Sequence, residues 1–203
     1  FPKTDTSLVG LQKDDPGARS TVLQYISKFS SEFCIYTDAS KMDGKTGIGV
    51  YAPSDNTRIF QRTSDNVSIC SAEMNAIKIA LSWYLDMNRN QNLVVFTDSL
   101  SALEALRYSR QLSKSPCQQS IIHTTTTLNK RNLNCTLLWI PSHIGILGNE
   151  TADLLAKSSI TQPTVQLQIP TEPIELKRLF KHEIISLWQD RWQTIPLNSL
   201  SRN

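Results

Sequence analysis

Apolar residues form two short uninterrupted runs, and each run leads into the same polar pair. Residues 33–36 are followed by Thr37 and Asp38, and residues 93–96 are followed by Thr97 and Asp98. Apolar runs of this length are typical of strands that are buried on both faces of a mostly parallel sheet. The sequence therefore predicts two buried strands that each carry a carboxylate at their end.

The segment between these runs predicts two further strands, at residues 48–52 and 57–62. An Asp-Gly pair marks a turn within 41–47, and the Pro-Ser-Asp-Asn sequence at 53–56 has hairpin-loop chemistry. We expect these strands to form an antiparallel meander with the strand that ends at Asp38. A last strand is expected at residues 135–140.

Helical spacing of apolar positions, with a period near 3.6 residues, predicts helices between the later strands. We expect helices at residues 71–87, 99–108, 116–128 and 149–158, with Ser99 and Asn149 as N-caps. The order βββαβα(α)βα predicts an α/β fold with a mixed five-stranded sheet flanked by helices. Three antiparallel strands come first in that sheet, and two parallel strands follow.

Segments on either side of this pattern predict a division into three parts. Residues 1–31 resemble a leader or linker with few core residues and a short helical piece at 21–29, and residues 32–160 form the domain. Residues 161–203 form a linker followed by an amphipathic helix. Its apolar residues step by four: Leu176, Phe180, Ile184, Trp188 and Trp192. The pattern leaves open whether this stripe packs onto the same domain or onto a partner.

Composition is that of an ordinary globular protein. The 203 residues are 39% hydrophobic and 19% charged, and the net charge of +3 is too small to indicate nucleic-acid binding by itself. The four cysteines show no Cys-x-x-Cys spacing, and no signal peptide or membrane-spanning segment is recognisable. We expect a monomeric protein without membrane association, in the cytoplasm or the nucleus.

Four acidic residues lie where predicted elements begin or end: Asp38, Glu73, Asp98 and Asp153. The carboxyl ends of strands and the adjacent helix starts share one edge of an open α/β sheet. Buried carboxylates that lie side by side are costly, and a divalent cation between them removes that cost. Taken singly, Glu73 and Asp153 could be ordinary acidic residues near a helix N-terminus. The full set predicts an oxygen cage suited to two Mg²⁺ or Mn²⁺ ions.

A histidine in a glycine-containing loop is a second candidate for chemistry. His143 lies in the loop 141–148, where Gly145 and Gly148 permit movement. Because an unperturbed imidazole titrates near pH ~6.5, a histidine close to a metal site can transfer protons during turnover. An isolated loop histidine would otherwise be a surface residue.

Four segments together resemble type 1 ribonuclease H. They are Tyr-Thr-Asp-Ala-Ser at 36–40, Ser-Ala-Glu at 71–73, Phe-Thr-Asp-Ser at 96–99, and the loop and helix at 139–156. The sequence is most similar in character to the ribonuclease H domain of eukaryotic non-LTR retrotransposon polyproteins. The resemblance implies a ribonuclease H-like fold for residues 32–160.

The resemblance also implies a function. It implies an endoribonuclease that cleaves the RNA strand of an RNA·DNA hybrid with two Mg²⁺ ions, for which Mn²⁺ would substitute. The implied metal ligands, which are also catalytic, are Asp38, Glu73, Asp98 and Asp153. His143 would be a catalytic loop residue. Glu150 would contact the metal-ligating residues without binding metal itself, and would adjust their properties.

Substrate contacts and partners follow from the same resemblance. The residues expected to contact the substrate are Ser40, Ser71, Ser99 and Asn149. A reverse-transcriptase domain of the same polyprotein would be a partner besides the hybrid. Ala39 stands where well-known members have glycine, and residues 68–71 replace an Asn-rich basic segment that reads the minor groove. These departures leave substrate discrimination open at the level of the sequence.

Two other hypotheses remain open on the sequence. One is a ribonuclease H-like scaffold or binding module without catalysis, and the other is a nuclease core of the transposase or resolvase kind. Acids at all four positions argue against the first. The spacing of ten residues between His143 and Asp153 (153 − 143), with Gly-Asn-Glu between them, favours ribonuclease H over the second.

Overall fold

One mixed sheet of six strands organises the chain. The computed structural model describes residues 2–108, 115–171 and 173–194. The strands are β1 (Lys3–Asp5), β2 (Phe33–Met42), β3 (Lys45–Ala52), β4 (Thr57–Arg62), β5 (Leu93–Thr97) and β6 (Cys135–Trp139). Their order across the sheet is β1-β6-β5-β2-β3-β4. The strands β1, β6, β5 and β2 are parallel, and β3 and β4 complete an antiparallel meander with β2.

Six α-helices are described along the chain. They are α1 (Ala18–Ile26), α2 (Ile69–Asp86), α3 (Leu100–Tyr108), α4 (Pro116–Lys130), α5 (Leu147–Ile160) and α6 (Pro173–Thr194), with short 3₁₀ helices at Ser27–Phe29 and Pro53–Asp55. The predicted α/β class and the order of the elements from β2 to α5 are confirmed. Within the described ranges, no helix combines the length and apolar character that a membrane span requires.

The predicted count of five strands is wrong by one, because the N-terminal segment adds β1. Residues Lys3–Asp5 pair in parallel with β6 at the outer edge of the sheet. The expectation that residues 1–31 contribute little to the core is also wrong, since Leu8, Ala18 and Val22 are buried. A three-residue strand is too short to show a period, and these buried residues are separated by polar ones.

Side chains of the central strands alternate between two buried clusters. On β5, Leu93 and Val95 belong to the cluster that includes residues of α2, α3 and α4. Val94 and Phe96 belong to a second cluster with residues of α1 and α5. The sheet is therefore covered on both faces, which explains why β5 has the uninterrupted apolar sequence of a buried parallel strand.

Helix α5 lies directly on the backbone of β3. A Cβ atom added to Gly49 would lie 2.1 Å from the carbonyl oxygen of Ala152 and 2.6 Å from the amide nitrogen of Ala156. A Cβ atom on Gly148 would lie 2.3 Å from the ring of Tyr36. Both positions need glycine because helix and sheet approach so closely, and this close approach fixes α5 at the sheet.

The segment after α5 is bound along β4, although the sequence predicts a linker there. Leu167 forms a parallel bridge with Thr63. The guanidinium of Arg62 donates hydrogen bonds to the carbonyl oxygens of Gln162 and Pro163 and pairs with Asp65. The chain divides into two compact units, residues 1–169 and 170–203, and α6 lies in the second. Whether its apolar stripe packs onto the same domain or onto a partner stays open, as in the sequence.

Candidate active site

Strand register places two of the candidate acids side by side. Thr37 of β2 pairs in parallel with Thr97, the last residue of β5. Asp38 and Asp98 each come directly after this pair, so they lie next to each other at the same end of the sheet. Trp139 of β6 pairs with Thr97 from the other side, and its indole Nε1–H donates to the carbonyl oxygen of Asp98 at 3.0 Å. The two apolar runs have the same length and are paired from their first residues, so the aspartates that follow them are adjacent.

Helix α2 adds a third carboxylate from the face of the sheet. Ser68 caps this helix by accepting a hydrogen bond from the Ser71 amide, and Glu73 follows on its buried side. One oxygen each of Asp38, Glu73 and Asp98 lies within 4.8 Å of the others. The amide of Ala39 donates to Asp38 Oδ1 at 2.7 Å and to Glu73 Oε1 at 3.2 Å. One backbone N–H therefore joins the two acids.

Electrostatics of this cluster favour protonation or a bound cation. Burial, with the negative charge of Asp98 as the next cause, raises the pKa of Asp38 to about 8. Burial and then the charges of Asp38 and Asp98 raise the pKa of Glu73 well above its ordinary value. Burial also raises the pKa of Asp98, while the Asn149 hydrogen bond and the charge of His143 oppose that rise. Like charges that repel this strongly in a buried site are a common feature of functional clusters.

A second group of ionisable side chains adjoins the first. One ligand atom each of His143, Glu150 and Asp153 lies within 4.8 Å of the others. The negative charge of Asp153 contributes to the raised pKa of both Asp38 and Asp98, so the two groups lie near one another. The four predicted acids thus lie in two adjoining groups, with Asp38, Glu73 and Asp98 in the first and Asp153 in the second.

Asp153 is already paired with a cation from its own helix. Lys157 Nζ lies 2.7 Å from Asp153 Oδ2, and the lysine side chain is 56% exposed. An exposed ammonium adds little stability and is easily displaced. The spacing of four residues (157 − 153) could have predicted this pair from the sequence. The partner is an exposed lysine and not an arginine.

Asn149 has a different place from the one predicted. Helix α5 begins at Leu147 with Ile146 in the N-cap position, so the expectation that Asn149 caps the helix is wrong. An apolar cap is rare, and the sequence therefore favoured the asparagine. The Asn149 side chain is 2% exposed, and its Nδ2 donates to Asp98 Oδ2 at 3.2 Å. Its amide orients a carboxylate of the cluster.

The three serines predicted to contact a substrate lie at the same edge of the sheet, in different settings. Ser40 is half-buried on β2, two residues beyond Asp38. Ser71 is 7% exposed in the first turn of α2. Ser99 accepts a hydrogen bond from the Ala102 amide at 3.3 Å, as the predicted N-cap of α3 does. Ser99 therefore has a structural role, and substrate contact by the three serines stays a prediction.

The loop that carries His143 is tied down at its glycine. The Gly145 amide donates to Glu150 Oε1 at 3.3 Å, and the Gly145 carbonyl accepts from Arg19 Nε at 3.1 Å. The sequence gives no signal for the second contact, because its partners are 126 residues apart. The imidazole of His143 is exposed.

Unsatisfied oxygens test whether this site fits metal ions. Among the described residues, Glu73 Oε2 and Asn149 Oδ1 are buried without a hydrogen-bond partner. Buried polar atoms are rarely left without a partner, and each one needs an explanation. Because carboxylate and amide oxygens are the ligands that Mg²⁺ and Mn²⁺ prefer, the donor set fits a hard divalent cation.

Known structures share this fold. LC11-RNase H1, isolated from compost by a metagenomic approach and solved in complex with an RNA/DNA hybrid, is 18% identical. The match covers 64% of this chain and 96% of that one, with a TM-score of 0.50. Prototype foamy virus protease-reverse transcriptase is 20% identical over 66% of this chain and 21% of that one, with a TM-score of 0.51. At these identities the likeness shows the fold alone.

A family profile extends the likeness to the sequence itself. The profile of RNase H matches residues 30–161, well over half of the chain. The match contains all four acids, His143 and the loop before α5. The chain therefore belongs to the ribonuclease H family.

Proposed function

We propose that this protein is an endoribonuclease that cleaves the RNA strand of RNA·DNA hybrids by metal-dependent hydrolysis. The observation that carries the proposal is the convergence of Asp38, Glu73 and Asp98 to within 4.8 Å, with Asp153 nearby. Structural ion pairing does not account for it, because these three acids repel one another and two of them are buried. Membership of the ribonuclease H family supports the same chemistry.

The proposed metal ligands are Asp38, Glu73, Asp98 and Asp153, for two Mg²⁺ ions or for Mn²⁺ in their place. Such ions, when bound, supply an activated water for in-line attack on the phosphate and stabilise charge on the leaving 3′ oxygen. Asn149 fixes the orientation of Asp98 through its 3.2 Å hydrogen bond. For Asp153 to hold a cation, its ion pair with Lys157 would have to open.

His143 is proposed to move a proton beside the reacting phosphate. Its ring lies in the group with Glu150 and Asp153, and its charge acts on Asp98. It is exposed on a loop, so it reaches solvent as well as the acids. Glu150 supports it by accepting the Gly145 amide.

The proposed substrate is the hybrid duplex rather than single-stranded RNA or duplex DNA. LC11-RNase H1, which shares the fold, was solved with an RNA/DNA hybrid. Ser40, Ser71 and Ser99 lie within two residues of Asp38, Glu73 and Asp98 in the sequence, and their hydroxyl groups are proposed to contact the backbone phosphate or the 2′-OH. A 2′-OH next to the cut distinguishes RNA from DNA. Binding that depends on phosphate contacts weakens as salt rises.

We propose a retrotransposon origin for the chain, on its resemblance to non-LTR ribonuclease H domains. A reverse-transcriptase domain of the same polyprotein is then a second partner. The fold is shared with part of the foamy virus protease-reverse transcriptase, of which the match spans 21%. We further propose that the unit acts as a monomer inside the cell, in the cytoplasm or the nucleus.

Cleavage of a hybrid with a labelled RNA strand tests the proposal. We expect cleavage with Mg²⁺ or Mn²⁺, none with chelator, and none by Asp98→Asn despite a retained fold. The control is Asp86→Asn, which changes an exposed aspartate at the end of α2 and should cleave at the wild-type rate. Wild-type cleavage by Asp98→Asn would contradict the site. A folded wild-type chain that binds hybrid without cutting it would favour a non-catalytic scaffold instead.

A further inference from the structure

The loop that carries His143 is held by a part of the chain outside the family match. That match begins at residue 30, whereas α1 ends at Ile26. Arg19 on α1 donates its Nε–H to the carbonyl oxygen of Gly145 at 3.1 Å. Gly145 lies two residues beyond His143, so a residue of the N-terminal segment reaches the loop beside the candidate active site.

Gly145 is held from two directions. Its amide donates to Glu150 Oε1 and its carbonyl accepts from Arg19 Nε. Its φ of 78° is in the left-handed region, and an added Cβ would lie 3.2 Å from Arg19 Nε. The loop therefore has glycine where the arginine approaches, and the two hydrogen bonds fix the orientation of its backbone.

The apolar side of the same loop rests on the same segment. Ile144 and Ile146 are 9% and 3% exposed, and they share one buried cluster with Leu8 and Val22. Leu8 follows β1, and Val22 lies on α1. The N-terminal segment thus contributes both an apolar base and a polar tie to the loop.

His143 itself needs such support. Its φ of 55° is in a region that residues other than glycine seldom adopt. Conformations of this kind persist only where the surroundings hold them. The contacts at Ile144, Gly145 and Ile146 begin immediately after it.

We propose that the N-terminal segment positions the His143 loop for turnover, with Arg19 as a positioning residue. Arg19 touches the loop backbone and not the reacting atoms. The inference rests on the proposed ribonuclease function, because the step that it assists is the proton transfer assigned to His143.

Two substitutions of matched length separate the hydrogen bond from the charge of Arg19. Arg19→Gln removes the charge but keeps an N–H donor the same number of bonds from the backbone. Arg19→Met keeps the length and removes the donor. The matched control is Arg131→Met, since Arg131 is an exposed arginine whose side chain donates to Asn88 Oδ1 at 3.0 Å. Asn88 and Arg131 precede β5 and β6, so this pair lies at the amino ends of these strands, whereas the acids lie at their carboxyl ends.

Kinetics of hybrid cleavage give the first result. We expect Arg19→Met to lower kcat about fivefold, the ratio that corresponds to one solvent-exposed hydrogen bond, with KM unchanged. Arg19→Gln and Arg131→Met should keep the wild-type kcat. In a His143→Ala background, Arg19→Met should slow the reaction no further, because a residue that acts through His143 has no effect once His143 is gone. An additive loss in the double variant would overturn the inference, as would an equal loss in Arg19→Gln.

Amide hydrogen exchange gives a second result that does not depend on activity. Residues 142–147 should exchange severalfold faster in Arg19→Met than in wild type or Arg19→Gln, while the core of α2 is unchanged. If wild type cleaves hybrid and this exchange or kcat is unaltered in Arg19→Met, the inference fails and the proposed function stands. If wild type cuts no hybrid, the proposed function fails and Arg19 has no catalytic role, whatever the exchange shows.

Discussion

At the scale of single residues, Asp38 shows what the site costs the protein without metal. Its ordinary pKa is 3.8, and burial followed by the charge of Asp98 raises it to about 8 in the folded state. Between these values the folded state holds a proton that the unfolded chain has released. Asp38 therefore does not destabilise the fold below pH ~4, where it is protonated in both states. The free energy of unfolding falls as the pH rises from there toward 8.

We predict that the metal-free protein becomes less stable between pH 5 and pH 8, and that Asp38→Asn lessens this loss. The asparagine has no charge to bury, so the variant should melt at a higher temperature than wild type at pH 8, by less at pH 5. Mg²⁺ should raise the melting temperature of wild type at pH 8 but hardly that of the variant. Calorimetry measures all of these. A variant that is less stable than wild type at pH 8 would contradict the account.

Residue identity predicted some of this site and not the rest. Asp38 and Asp98 were predictable because each follows an apolar run, and parallel strands bring such positions together. The hydrogen bond of Asn149 to Asp98 was not predictable, because it depends on α5 beginning two residues early at Leu147. The tie between Arg19 and Gly145 depends on tertiary packing alone.

At the scale of elements, the position of α5 depends on the absence of a side chain on β3. Gly49 faces the backbone of Ala152 and Ala156 at distances that a Cβ atom cannot occupy. The helix carries Asn149 and Asp153, so its distance from the sheet sets the geometry of the acids. A glycine in a strand often marks such a close approach.

We predict that Gly49→Ala lowers the free energy of unfolding by about 3 kcal/mol, because the methyl group meets backbone rather than a flexible side chain. It should also reduce hybrid cleavage in the protein that remains folded, since α5 must shift. Gly10→Ala is the matched control. Its φ is 103° with nothing within 4 Å of an added Cβ, so it brings backbone strain alone, about 1 kcal/mol. Denaturant unfolding that ranks Gly10→Ala as the more damaging change would contradict this packing.

Helix α1 belongs to the core although its sequence is mostly polar. Val22 is fully buried, and the neighbouring Leu23 is 41% exposed. A helix with few apolar positions gives a weak periodic signal, and the sequence predicted a helical piece at 21–29 without its burial. The later helices were predictable because their apolar positions recur over several turns.

We predict that Val22→Ala lowers the free energy of unfolding by about 2 kcal/mol, the usual result of removing buried methyl groups. Leu23→Ala removes a larger side chain from an exposed position and should cost less than about 1 kcal/mol. Urea unfolding of the two variants makes the comparison. Equal losses would mean that α1 is not packed as described.

At the scale of the whole molecule, the strap formed by residues 162–169 closes the edge of the sheet at β4. Arg62 is 7% exposed and donates to the carbonyl oxygens of Gln162 and Pro163, and the Ser64 hydroxyl accepts the Ile169 amide. A covered edge strand is protected from pairing with other chains. The segment is therefore part of the first compact unit, as its boundary at residue 169 also indicates.

We predict that a chain ending at residue 160 is less stable than one ending at residue 171. The shorter chain loses the Gln162 and Pro163 carbonyl acceptors of Arg62, which keeps only its ion pair with Asp65. A lost hydrogen bond to a charged group costs about 1.5–3 kcal/mol. Melting temperatures of the two truncated chains, and light scattering for aggregation through β4, test this. Equal melting temperatures would show that the strap does not contribute to the unit.

The most direct test of the central claim is the chemistry of the ends that the protein leaves on the RNA strand of a hybrid. In-line attack by an activated water predicts a 3′-hydroxyl on one product and a 5′-phosphate on the other, formed with Mg²⁺ and lost in Asp98→Asn. A 2′,3′-cyclic phosphate, or cleavage that continues in the presence of chelator, would contradict the account, because either would mean that these carboxylates do not act through a metal ion.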